Sequence, residues 1–594
     1  MSHDNGKGDV RVKKPYVWPR SPFSPFSPFS PFSPIGGPGP GRSGLVVLAV
    51  LVFLVAVLAG CSLVQPRPTP TPPPTEVPPL ALPATVAPVL QPEPAVEGSG
   101  GNLMMTLGYQ DPTTLDPALV GDTTSAFVVL QLYSGLVRLD ERLAVQPDLA
   151  ERWEISNDGR TYRFILRENA RFADGTPLTS EDVRYSLERA TDTSLSRYLP
   201  AQMYLGDVVG VREKLAGAAS TIAGVQVIDQ RTIELTIDAP KSYFLSKLCH
   251  PTSYVVDRRA VEAGGRTWTE HPNGSGAFAI EEWNHDRTLV LRRNVNYYGD
   301  LARLDRVTLL MGASASNPLV LYEQGSIDVT SVDSFALARV QDENNPLSNE
   351  LISVPQLSLA YIGMNVEEAP FDDPKVRQAM ALLIDREKLD KVTLDDSVVV
   401  ARGILPPGMP GYNPNLPEPE PDLARVRQLL AESKYGGAEN LPPIAAYGGG
   451  WTTTLQEIAE EELGITIETR DYESFGEYLT ALQDEHLPMF SISWIADYPD
   501  PENFLDLLFR TGSYENHTAY SNPEVSALLD RAASEQDRET RWQLYQQAEQ
   551  QILADAPIIP LYHDVEYTLV KPYVKGLVVT PMGILDLSAV ELVR

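Results

Sequence analysis

From Asn102 onward, short runs of alternating apolar and polar residues give way repeatedly to runs with helical spacing. Arg160-Thr-Tyr-Arg-Phe-Ile-Leu166 alternates as a half-buried strand does, and Phe172-Ala-Asp-Gly-Thr-Pro177 reads as the turn before the next element. Thr179-Ser-Glu-Asp182 then opens a helix in the manner of a capping box. Pro374 suits the first turn of a helix whose Val376, Met380, Leu383 and Glu387 form one stripe. Asn522-Pro523 starts another, with Val525, Leu528, Leu529 and Ala532 turned inward, and a last long helix carries Trp542, Tyr545, Ala548 and Ile552 on one face. Strands and helices interspersed in this way predict an α/β protein with mixed sheets. Roughly 490 residues exceed what one core holds, so at least two lobes are expected. No fixed repeat appears, which argues against solenoids and propellers.

The N-terminal part is patterned differently. Residues 1–44 carry scattered Lys and Arg and four Ser-Pro-Phe triplets, from which no core can be built. The uncharged run Leu45–Leu58 follows, ending in Ala59-Gly60-Cys61; a basic flank, an apolar segment and small residues read as an export signal. From Pro66 to Glu97, Pro, Thr, Ala and Val dominate, which favours an extended polyproline-like stalk over packing. By the positive-inside tendency, the basic flank stays in the cytoplasm and everything after Cys61 lies outside.

Charge and composition narrow the chemistry. The formal net charge of −31 repels phosphate backbones, so nucleic acid is not an expected partner. Two cysteines, Cys61 and Cys249, exclude a disulfide framework. The seven histidines never occur as an i,i+4 pair, and HExxH and CxxC are lacking, so no built-in metal site is expected. Gly274-Ser275-Gly276 is not a nucleophile elbow, because Asn273 stands where the first glycine belongs, and no phosphate-cradling or dinucleotide glycine motif occurs. Paired carboxylates such as Asp372-Asp373 leave a carboxylate hydrolase open, since their separation in space is not readable. Cys249 beside His250 reads as a structural free thiol, because chain neighbours seldom face one another. No cofactor and no catalytic constellation are expected.

Several segments together resemble the extracytoplasmic solute-binding proteins of family 5, the dipeptide- and oligopeptide-binding components of ABC importers. They include Leu115-Asp-Pro117, Tyr133-Ser-Gly-Leu-Val137, Pro147-Asp-Leu-Ala-Glu-Arg-Trp153, Gly274-Ser-Gly-Ala-Phe278 and Asn294-Val-Asn-Tyr-Tyr-Gly299. Gln324-Gly-Ser-Ile-Asp-Val329, Pro370-Phe-Asp-Asp-Pro-Lys-Val-Arg-Gln-Ala379, Asp497-Tyr-Pro-Asp-Pro501 and Ile559-Pro-Leu-Tyr562 continue the series in order. Leu58-Ala59-Gly60-Cys61 likewise resembles a bacterial lipobox, which implies diacylation of Cys61 and cleavage before it; the rival is an uncleaved helix, since the apolar stretch to Val64 is about long enough to span a bilayer.

The resemblance implies a three-domain, two-lobe fold that closes about a hinge. Domain I would take residues 102–137, 275–366 and 557–594, domain II 138–274 and domain III 367–556, with crossings near 366 and 557. The implied function is capture of a short peptide or related amine-bearing solute for ABC permease subunits, on the outer face of the cell membrane. Relatives that carry nickel chelates, haem, opines or sugars, and a sensor ectodomain, remain as alternatives. In peptide-binding relatives an aspartate three residues after a tryptophan takes the ligand's α-ammonium group, a spacing reproduced by Trp494 and Asp497. Some relatives place an arginine three residues before that tryptophan to meet the peptide carboxylate, and here Ser491 stands there. Tyr109 and Gln110, after the first strand, fall where relatives line the cleft. Asp500, before Pro501 and a helical pattern, reads as a helix cap.

Overall fold

The computed structural model of the chain describes residues 100–108, 110–417 and 420–593. The readings made for the export signal, for Cys61, for the stalk and for Tyr109 lie outside the described residues.

Three sheets organise the molecule. A seven-stranded mixed sheet runs in the order Leu351–Pro355, Val565–Val570, Val329–Ser331, Asn102–Gly108, Arg306–Met311, Thr288–Arg293, Phe278–Asn284. A six-stranded mixed sheet runs Val399–Val400, Ile558–His563, Ser358–Met364, Met489–Ile495, Ile444–Tyr447, Ile467–Arg470. A four-stranded antiparallel sheet, Ala150–Ile155, Thr161–Leu166, Thr232–Thr236 and Val225–Asp229, has its own core around Phe164, Leu187, Ile233 and Phe244. Strand Thr161–Leu166 buries Tyr162, Phe164 and Leu166 on alternate positions, as its pattern requires.

The local signals account for the helix starts. Thr179 and Asp182 form the capping box of helix Ser180–Ala190. Asn522 accepts from Glu524 N–H at the start of helix Pro523–Ser534, whose Val525, Leu529 and Ala532 are buried. Helix Arg538–Asp555 buries Tyr545, Ala548 and Ile552, while Trp542 stays half-buried. One stripe is interrupted: helix Pro374–Ala381 ends before Leu383, and Glu387 belongs to a separate short helix, Arg386–Leu389, capped by Asp385. The aspartate side chain captures the N–H of Lys388 and so restarts the helix, which spacing alone does not reveal.

Two crossings connect the large sheets. The antiparallel pair Leu351–Pro355 with Val565–Val570 runs on into the pair Ser358–Met364 with Ile558–His563, so one twisted ribbon belongs to both sheets. The crossings therefore fall at 356–357 and at 564 rather than near 366 and 557, because both inner strands pair within the second sheet. The two chains are laced there: Gln356 N–H donates to the Asp564 carbonyl at 2.8 Å, Ser358 Oγ to the Asp564 carboxylate at 2.9 Å, and Asp564 N–H to Ser358 Oγ at 2.8 Å. A buried crossing with its polar groups satisfied can bend without exposing orphan donors.

At the centre of the second sheet Gly363 sits opposite Phe490, whose ring lies across it; a Cβ there would come within 2.2 Å of the ring. Gly363→Ala is expected to cost about 1–3 kcal/mol, seen as a lower thermal midpoint, because the neighbouring strands leave the ring nowhere to go.

Candidate functional site

Strand Met489–Ile495 lies in the middle of the second sheet and delivers the chain to Asp497 at its end. Phe490, Ile492 and Trp494 point to one core, and Ser491 falls on the opposite face of the strand. After the strand, Asp500 fastens the turn into helix Glu502–Phe509. Its carboxylate accepts Glu502 N–H at 3.0 Å and a bidentate pair from Arg541 at 2.7 and 2.8 Å. Asp500 thus serves structure, but from one residue before the cap: the N-cap is Pro501 rather than Asp500, whose carboxylate reaches past it to the first helical N–H and to Arg541.

Asp497 is organised differently. Its backbone N–H donates to Asn503 Oδ1 at 3.2 Å, while Asn503 Nδ2 donates to its carboxylate at 3.1 Å. The same Asn503 Oδ1 accepts Trp494 Nε1–H at 3.0 Å, so one asparagine orients both Trp494 and Asp497. The remaining donor comes from outside this lobe: Tyr204 Oη, in helix Ala201–Tyr204, donates to Asp497 Oδ2 at 2.7 Å. The Tyr204 ring is stacked on His250 at 3.6 Å between centroids and meets Tyr498 edge-on.

Around this group lies a dense set of buried charges, and most are paired. Asp207 meets Lys241 at 2.5 Å and Lys247 at 3.2 Å, Glu502 meets Lys247 at 2.8 Å, Asp500 meets Arg541, and Asp506 meets Arg510. Asp497 stands apart, because the partners recorded for its carboxylate, Tyr204 and Asn503, are both neutral. Burial pushes its carboxyl up to about 6, with Glu515 and Glu502 adding to the rise against the two hydrogen bonds. A carboxylate held only by neutral donors is able to take a cation, and a primary ammonium would add charge-assisted hydrogen bonds.

The other expected site residues are placed less tightly. Ser491 is half-buried and its carbonyl accepts Tyr478 Oη–H at 2.8 Å; nothing basic replaces the arginine at that position. Gln110 is exposed beyond the end of strand Asn102–Gly108. Cys249 is a buried free thiol that donates to the Leu245 carbonyl, and burial pushes it up, away from nucleophilic use. Its neighbour His250 turns to Thr252 instead, so the two form no dyad. Tyr204, Asn503, Lys247 and Glu502 are not identifiable from the sequence. Only Asn503 carried a hint, six residues after Asp497 in a segment otherwise explained by its turn. No group of His, Cys, Asp and Glu suited to a metal ion occurs among the described residues.

A hinged pair of sheet-based lobes with a third domain inserted is the architecture of an extracytoplasmic solute receptor. The chain belongs to the bacterial extracellular solute-binding proteins, family 5, whose middle-region model matches residues 144–516. It is 32% identical over 488 residues to the probable deoxycholate-binding periplasmic protein YgiS of Escherichia coli, covering 79% of this chain and 89% of the relative. It is 30% identical to the periplasmic oligopeptide-binding protein OppA of Salmonella typhimurium, over 78% of this chain and 87% of the relative. Among solved structures, the murein tripeptide binding protein MppA of Escherichia coli superposes with a TM-score of 0.74 at 26% identity, over 83% of this chain and 98% of that one. The unliganded open form of MppA superposes less well, with a TM-score of 0.65, over 84% of this chain and 98% of that one.

Because folding raises the Asp497 carboxyl from 3.8 to about 6, ionising it costs stability as pH rises through that window, and the loss is complete above it. In ligand-free protein, Asp497→Asn is expected to raise stability by about 1–2 kcal/mol at pH values well above 6 and to leave it unchanged near pH 4, as thermal melts across pH would show.

Proposed function

We propose that this protein captures short peptides or related amine-bearing solutes outside the cell, closes its lobes on them and presents the closed form to ABC permease subunits. The observation that carries the solute class is Asp497, a half-buried carboxylate with neutral partners beside buried charges that are paired. The named specificities of OppA and MppA support the peptide reading, and the fold they share with this chain supports capture by closure. Catalysis forms no part of it: a receptor that hands its ligand on needs no reacting group. With Ser491 in place of an arginine, the peptide's carboxyl end has no fixed partner at that position, which favours tolerance of peptide length. Attachment to the membrane would come from acylated Cys61 or from the apolar helix before it; no helix among the described residues is long and apolar enough to cross a membrane.

Another reading has one observation in its favour, the likeness to a relative named for deoxycholate. Chemistry weighs against it, since an anionic amphipath brings no cation to Asp497. Calorimetric titration decides between them. Unblocked tripeptides are expected to bind, with N-acetylation weakening them at least tenfold, because it removes the ammonium. Affinity is expected to fall as pH drops through about 6, where Asp497 takes up a proton. Equal binding of acetylated peptides, or binding of deoxycholate in preference to them, would overturn the assignment.

A further inference from the structure

The loop that carries Asp497 is held from the opposite lobe at two points. Tyr204 and Lys247 both project from the four-stranded-sheet unit, where their neighbours Ala201, Leu205, Phe244 and Leu248 are core residues. Asp497 and Glu502 flank Ala496 and Phe504, which belong to the core of the second sheet. The bonds Tyr204–Asp497 and Lys247–Glu502 therefore join two separately built cores.

Lys247 is buried, and its ammonium donates to Glu502 at 2.8 Å, to Asp207 at 3.2 Å and to the Met203 carbonyl at 3.2 Å. Glu502 also accepts a hydrogen bond from Tyr498, within its own lobe. The division of partners matters. If the lobes part, Lys247 keeps Asp207 and Met203, and Glu502 keeps Tyr498, so neither charge is stranded. Asp497 likewise keeps Asn503, and Tyr204 keeps its stack on His250. Bonds made across the boundary are thus additional to a satisfied set on each side, which is what a contact that must open and close requires.

We infer that Tyr204 and Lys247 are positioning residues of the solute site, clasping the 497–503 loop from the other lobe so that closure completes the anionic anchor. Tyr204 fixes the Asp497 carboxylate, and Lys247 holds the first turn of the helix that carries Asn503. The nearby Lys241 provides an internal comparison: it too is buried, but its carboxylate partners Asp207 and Asp238 lie within its own unit. The inference rests on the solute-receptor reading and is independent of which solute is bound.

The test needs no ligand. In the full-length chain carrying Cys61→Ser, spin labels at exposed Ile228 and Phe475 report the distance between the two units. Lys247→Met is expected to shift the ligand-free distance distribution toward the longer population, lowering the closed-to-open ratio at least about tenfold. Lys241→Met is expected to leave that ratio unchanged. Tyr204→Phe, the milder variant, is expected to shift it in the same direction by a smaller factor, and it serves if Lys247→Met does not fold. A double-mutant cycle of Lys247→Met with Glu502→Gln is expected to show that the two effects do not add. Unchanged distances in Lys247→Met and Tyr204→Phe, or an equal shift in Lys241→Met, would overturn the inference. Failure to bind peptides while the distances still shift would instead count against the peptide assignment alone.

Discussion

Burying a charge is costly unless a partner comes with it, and the boundary between the lobes is governed by that constraint. Asp207, Asp500, Glu502 and Asp506 each lie against a lysine or arginine. Asp497 lies against a phenol and an amide. The same desolvation that pushes its carboxyl up toward 6 would, on the proposed function, make an incoming ammonium valuable, because such a ligand would supply what the fold withholds. On that proposal, affinity would come from relieving a cost already present in the unliganded protein. That cost is tolerable only because the two neutral donors keep the carboxylate hydrogen-bonded while it waits.

The rest of the architecture brings that carboxylate to a place that opens and closes. One antiparallel ribbon crosses from sheet to sheet, and its crossing residues satisfy one another through Gln356, Ser358 and Asp564. Strand Met489–Ile495 pairs with the inner strand of that ribbon along its whole length, so the site loop is attached firmly to its lobe. Across the boundary, the two bonds to the site loop, Tyr204–Asp497 and Lys247–Glu502, are each matched by partners that stay behind on opening. A receptor built this way can hold a small difference in free energy between its open and closed forms, which a ligand of modest affinity is able to overturn.

Much of this was legible before the structure, in proportion to how local the signal was. Alternation located strand Thr161–Leu166, and side-chain caps at Thr179 and Asn522 located helix starts, because each depends on residues a few positions apart. Trp494 and Asp497 were readable as a spaced pair, and the structure brings them to one asparagine. The break after Ala381 was hidden, since apolar spacing continues through it while the chain turns. The sheet to which strands 358–364 and 558–563 belong was hidden as well, because pairing partners far apart in sequence decide it. Tyr204 and Lys247 lay deepest: an AQMY turn and an FLSK turn carry no chemical signature, and their significance arises only when a second lobe packs against them.

The central claim is that the site is built to take a cation from its ligand. Native mass spectrometry of the purified full-length chain, followed by denaturation and identification of the released molecules, tests it most directly. The account predicts released solutes that carry a free primary amine, short peptides foremost, and their loss from an Asp497→Ala variant. Release of neutral sugars or of anionic steroid-like molecules lacking an amine, retained by that variant, would contradict it.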